Sequence, residues 1–503
     1  MDADSLLSVA RDCETIPGTP SEDVAESFLA AHPWSEVADA LRRAVEEDET
    51  ADVRALCALC EKMSATTRGI ERLAREAGAL AGNGAFDAWL ASSSASARAL
   101  ACALVGRVFE RASAEAEARA LAEATRNALA TALATDETEV AHAASRALLF
   151  ACARFGEGLS ETLGVVLAAT ASERGGEATA RGLAFAASAA AANDAAADAV
   201  SRSGALDACV REIESDDLLA ASAAMEILAE VAESSKAAAS GLRRIPSLSA
   251  TLVRLALSDD ADVGVRMRAI VVSGRIAGTS PSRDDAIVQD VTRALVTLFA
   301  EEISRDVHDA VVDAAGAICL SNADIASAFV ASSKNAVFDV AHRALRGSGE
   351  SQVIALHALA NICGAERGEG RTLSDDAESI IADACFTVCG SKTFGDVVCS
   401  SITVKSDHFL AARVAMFRAL SALGFRRPFA EEIAAHPEAR RTLCHDHERT
   451  AVASKFRLAA LRALAAAGVR DAVAANDFSM AATAAPTATS RPVARPDVAV
   501  AHR

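Results

Sequence analysis

One pattern recurs along these 503 residues: an acidic or Ser-rich turn, then an apolar helical stretch, then Gly or Ser. It occurs at 48–63, 93–109, 136–154, 175–191, 216–234, 260–278, 304–321, 347–364, 407–424 and 450–468. Most of these ten starts are spaced about 40–46 residues apart. A segment of that length is one supersecondary unit and cannot bury its own apolar face. It must stack on its neighbours, and the stack then forms a continuous core. A chain of this length is too long for one ordinary globular core, but a stack has no such limit because each unit touches only its neighbours.

The stretch 260–278 shows the local chemistry. Val265, Ile270, Val272 and Ile276 fall on adjoining helical rows and give a broad apolar face. Asp260 and Asp262 stand at the start, where carboxylates favour the positive end of the helix dipole. Gly278 is expected to end the helix as a left-handed cap. A second amphipathic stretch, 247–257, precedes it, with Pro246 just before. Ala makes up roughly a quarter of the chain, aromatics 4 %, and there is no Tyr. Ala loses the least on entering a helix, so the class is all-α. Repeats of this length and order predict an armadillo/HEAT-like solenoid, a right-handed superhelix of about ten units. The step between the eighth and ninth units widens to nearly 60 residues, which places a loop insertion around 366–374. Residues 1–21, with Pro17, Gly18 and Pro20, read as a loose cap, 22–478 as the solenoid, and 479–503 as a disordered Ala/Thr/Pro/Arg tail.

The formal net charge is −19, which argues against nucleic acid or an anionic membrane as the main partner. Only six of the 50 basic residues are Lys. The start of the chain has neither a basic region nor an apolar core, so no secretory signal is expected. The stretch 182–192 comes closest to a membrane span but is mostly Ala and is closed by Asn193 and Asp194. Twelve Cys in this setting read as reduced thiols of the cytoplasm, with the nucleus also open.

Cys57 and Cys60 form a C-x-x-C, but inside an apolar helix without the second ligand pair that zinc requires. Cys385 and Cys389 lie one turn apart on another apolar face. Both pairs read as core packing. Cys444, His445, Asp446 and His447 are consecutive, which does not suit a tetrahedral site, and read as a solvated turn. His308 and His357 sit on repeat helices, where each could line a groove or be a hydrogen-bonded interior residue. Phosphate-binding loops, nucleophile elbows and H-E-x-x-H are missing. No enzyme, metal or cofactor is expected.

Two resemblances sharpen this reading. Gly204-Ala-Leu-Asp-Ala-Cys-Val opens a helix much as armadillo second helices do. His357-Ala-Leu-Ala-Asn361 resembles the end of an armadillo third helix, where an Asn faces the concave groove. In that register lie Arg275 and Ser421, with Val271, His357 and Phe417 one turn earlier. Val271, Arg275, His357, Asn361, Phe417 and Ser421 are therefore the candidate protein-binding residues, within a face made by residues 260–470.

The whole-chain plan resembles the family of non-ATPase regulatory subunit 5 of the 26S proteasome. The likeness is carried by 31–63, which opens Ala-His-Pro-Trp-Ser-Glu-Val, by 203–278, and by 410–464. The last holds Ala411-Ala-Arg-Val-Ala-Met-Phe-Arg-Ala-Leu, Pro428-Phe429 and Ser454-Lys455-Phe456. The resemblance implies an assembly chaperone of the regulatory-particle base. Such a protein holds the C-terminal domain of one AAA+ ATPase subunit and is released on incorporation. The expected partner is thus a proteasomal ATPase subunit, bound by a monomer. The family also ends in an aromatic-containing segment, whereas only Phe478 precedes the tail here. Competing readings are another armadillo adaptor, such as an Hsp70 exchange-factor relative or a transport receptor, and an enzyme on a helical-repeat scaffold. With Trp34 and Trp89 as the only Trp, a peptide-reading transport receptor is disfavoured.

Overall fold

The computed structural model describes residues 3–483 apart from 83–84, 114, 136, 156–158, 171–175, 216, 235, 244, 369–371, 404–408, 446–447 and 449. Among the described residues there are 29 helices and no strand. Of the tail read above as disordered from 479, residues 479–483 are helical and those from 484 onward lie outside the described residues. Helices pack into two compact units divided at Leu248.

In the first unit one row of helices stacks in sequence. It comprises α1 (Ala3–Thr15), α4 (Thr50–Ser64), α7 (Ala95–Arg111), α9 (Thr138–Phe155), α11 (Glu177–Ala192) and α14 (Leu218–Ser234). The remaining helices are α2 (Glu22–Ala31), α3 (Trp34–Glu46), α5 (Thr67–Gly82), α6 (Ala85–Leu90), α8 (Glu115–Ala134), α10 (Leu159–Thr170), α12 (Asp194–Ser203), α13 (Ala205–Ile213) and α15 (Lys236–Leu242). Of these, α2, α5, α8, α10, α12 and α15 stack into a second row. Helix α16 (Pro246–Leu257) begins at the division.

The second unit repeats the plan. Its stacked row is α17 (Val263–Gly278), α19 (Arg305–Ile318), α22 (Gly349–Ile362), α25 (Leu410–Leu423) and α28 (Ala451–Ala466). The other helices are α18 (Ala286–Ala300), α20 (Ala323–Ser332), α21 (Lys334–Arg346), α23 (Asp375–Cys389), α24 (Phe394–Ile402), α26 (Arg427–Ala435), α27 (Pro437–His445) and α29 (Ala472–Thr483). All ten stretches found by periodicity are helices of the two stacked rows, and α1 adds one more at the start. Helix α1 is tied to α4 by Arg11, whose Nε donates to buried Asp52 at 2.9 Å.

Close approach within the row depends on missing side chains. A Cβ on Gly274 would lie 2.7 Å from Ala314 Cα, and one on Gly316 would lie 2.6 Å from Ala358 Cα. Gly278 belongs to the same set. It is still helical and meets the Ala317 carbonyl, so the left-handed cap expected there does not form. Asp262 does cap α17, accepting from the amides of Gly264 and Val265. Left-handed glycines occur after α22 and α28, at Gly364 (φ 92) and Gly468 (φ 67).

A cation repeats with the same logic. A helix C-terminus leaves carbonyls without partners and carries partial negative charge. Here the cation near the end of one row helix reaches back to the end of the previous one. Lys62 donates to the carbonyls of Cys13 and Ile16, and Arg107 Nη1 to Glu61 at 2.9 Å. Arg154 Nη1 reaches Phe109 at 2.8 Å. In the second unit Arg367 reaches Cys319, and Arg426 Nη1 reaches Cys363 at 3.1 Å. Each joins neighbouring repeats through charge-assisted bonds.

Candidate protein-binding face

Helices α17, α19, α22, α25 and α28 bury most of their surface but leave one strip of each uncovered. On α17 that strip holds Val271 and Arg275, and on α22 it holds His357 and Asn361, all half-buried. Arg275 Nη2 lies 3.8 Å from Asp313 Oδ2 on α19. With both side chains partly in solvent, this pair adds at most about 1 kcal/mol.

Helix α25 departs from the expected register. Phe417 is 1 % exposed and packs in the core. Ser421 is also buried, its hydroxyl donating to the Arg418 carbonyl at 2.7 Å. The residue of α25 that meets the strip on α22 is Arg418, one position on, its side chain 11 % exposed. The phase counted from earlier repeats fails here, after the longest step in the row, from Ile362 at the end of α22 to Leu410 at the start of α25. The expected insertion at 366–374 is only part of that step, and 369–371 lie outside the described residues.

Arg418 organises this strip. Its Nη2 donates to Asn361 Oδ1 at 2.5 Å, and its Nη1 donates to the His357 carbonyl at 3.2 Å. The same guanidinium lies 3.1 Å from Glu366 Oε1. Burial lowers the proton affinity of His357, and the neighbouring Arg418 cation lowers it further. The imidazole is therefore held neutral, with Nδ1 3.4 Å from Arg418 Nη1. His308 takes the interior alternative: Nε2 is 2.8 Å from Asp339 Oδ2, and the ring meets Phe299 edge-on. Arg418, Asp313 and Glu366 were not singled out from sequence. Arg418 was within reach, since it directly follows the chosen Phe417.

The sequence-paired cysteines lie on packed helical faces. Cys60 and Cys385 are fully buried, which pushes both thiols well above their ordinary range. Burial moves Cys57 up to about 12. Cys444 lies in the last turn of α27, while Asp446 and His447 fall outside the described residues.

No family description matches this chain, and no curated protein matches it in sequence. Among solved structures, importin beta aligns at 13 % identity with a TM-score of 0.51, covering 88 % of this chain and 59 % of its own. A designed armadillo repeat protein aligns at 19 % identity with a TM-score of 0.37, over 52 % of this chain and 99 % of its own. UNC-45 from Drosophila melanogaster aligns at 17 % identity with a TM-score of 0.37, over 89 % and 62 %. The fold is an armadillo/HEAT-like helical-repeat solenoid. No helix among the described residues is long and apolar enough to cross a membrane.

Proposed function

We propose that this chain is a protein-binding scaffold that works as an assembly chaperone for the 26S proteasome regulatory-particle base. In this reading it cradles the C-terminal domain of one AAA+ ATPase subunit and lets go when that subunit is incorporated. The observation that supports it most is where the family-like segment 410–464 lies. It forms α25 to α28, and it presents Arg418 beside Asn361 and His357 on the uncovered strip. Arg is among the side chains enriched at binding hot spots. The overall acidity would speed encounter with a basic face of the partner. The working surface in the second unit is thus Val271, Arg275, His357, Asn361 and Arg418, with Phe417 and Ser421 supporting it from beneath.

Affinity purification from native lysate, read by mass spectrometry, tests the proposal. Regulatory-particle ATPases recovered without core-particle subunits are the expected result. Recovery of another client with no proteasomal ATPase would contradict it.

A further inference from the structure

The segment between α1 and α2 reads Ile16-Pro17-Gly18-Thr19-Pro20-Ser21. It is neither helix nor strand, and every residue in it except Pro20 is exposed. This shape follows from its composition. A residue before Pro is pushed out of the helical region toward extended backbone, and both Ile16 and Thr19 stand before one. Each Pro fixes its own φ and has no N–H to pair. Gly18 takes φ 93, which turns the chain, and as Gly it can straighten at little steric cost. Both ends of the segment are held. Lys62 donates to the Ile16 carbonyl, and Ser21 caps α2, its hydroxyl accepting from the Val24 amide at 3.4 Å.

Of the 10 Pro in the chain, two directly follow a hydroxyl residue, in Thr19-Pro20 and Ser280-Pro281. Ser280 is closed to modification: it is 3 % exposed, and its hydroxyl donates to Asp285 Oδ2 at 2.6 Å. Thr19 is exposed, and it also has a Pro two residues before it, Pro17. We propose that Thr19 is a phosphorylation site for a proline-directed protein kinase, a modification independent of the partner held on α17 to α25. A kinase takes its substrate as an extended segment. Pro directly after the acceptor suits a kinase that needs no substrate N–H there, and Pro two residues before it favours the extended chain. In the transfer, Thr19 Oγ1 forms a bond to the γ-phosphorus of ATP. The bond from that phosphorus to the bridging oxygen breaks, its electron pair leaving on ADP, and the hydroxyl proton passes to the catalytic Asp of the kinase. The product carries roughly two further negative charges at neutral pH. They stand on an exposed segment outside the core, so the fold should survive the modification.

The test uses the full chain, ATP and a recombinant mitogen-activated protein kinase, with the modified residues mapped by tandem mass spectrometry. Thr19 should be the first residue to take phosphate, while Ser280 stays unmodified in the folded chain. Thr19→Val should remove that phosphopeptide and Thr19→Ser should restore it. Pro20→Ala should lower the initial rate at least about tenfold, with the melting temperature little changed. The same phosphopeptide should be recovered from the full chain expressed in eukaryotic cells with phosphatases inhibited. Phosphate on other residues with Thr19 unmodified, an undiminished rate in Pro20→Ala, or absence of the phosphopeptide from those cells would each overturn the proposal.

Discussion

Arg418 of α25 donates to Asn361 of α22 at 2.5 Å, while its chain neighbour Phe417 is 1 % exposed in the core. Two adjacent residues thus divide the labour of the helix. Phe417→Ala should destabilise the protein by about 3–5 kcal/mol, the range for emptying a buried aromatic site. Arg418→Ala should cost far less. Urea unfolding of the two variants checks the contrast, and similar losses would mean that both side chains are structural.

The cation joining α19 to α22 makes a second prediction. Arg367 is 5 % exposed and donates to the carbonyls of Cys319, Asn361 and Ile362, the last at 2.7 Å. Arg367→Ala leaves those carbonyls short of a donor and should lower stability by about 2–3 kcal/mol. Chemical denaturation of the variant measures it, and an unchanged midpoint would show that solvent replaces the guanidinium.

Gly316→Ala should be poorly tolerated, because the new methyl meets Ala358 Cα at 2.6 Å across the α19–α22 contact. Separating packed helices to admit it costs about 1–3 kcal/mol. Gly368→Ala is the control, since nothing lies within 4 Å of a methyl there. Thermal melts should separate the two, with the control close to wild type.

His357 gives a pH dependence with a definite sign. Its folded-state pKa is lowered by burial and by Arg418, so the unfolded chain takes up a proton more readily. The contribution is intact above the unfolded value of about 6.5 and is lost as pH falls from there through the lower folded value. The urea midpoint should therefore drop more steeply between about pH 7 and 5 in the wild type than in His357→Gln. Parallel curves would show that the imidazole titrates freely.

Much of the architecture was legible in the sequence because a repeat writes its period many times over. A helix start such as Asp262 and an apolar face such as Val265, Ile270, Val272 and Ile276 need only local rules. What escaped were features set by neighbours far away in sequence. Gly278 looks like a cap until α19 is seen against it. Ser421 looks like a surface residue until α25 is found with α22 on one side and α28 on the other. Helix α1 escaped because Pro17, Gly18 and Pro20 follow it and gave the whole segment a loop-like composition.

The central claim is that the uncovered strip of α17 to α25 holds the C-terminal domain of a proteasomal ATPase. Isothermal titration calorimetry with the recombinant C-terminal domain of each regulatory-particle ATPase, against wild type and the Arg275→Ala/Arg418→Ala variant, addresses it directly. One of these domains should bind the wild type, and the double variant should bind it at least about tenfold more weakly, equivalent to about 1.4 kcal/mol, with little change in melting temperature. Wild-type affinity in the double variant, or no binding of any domain to the wild type, would contradict the account.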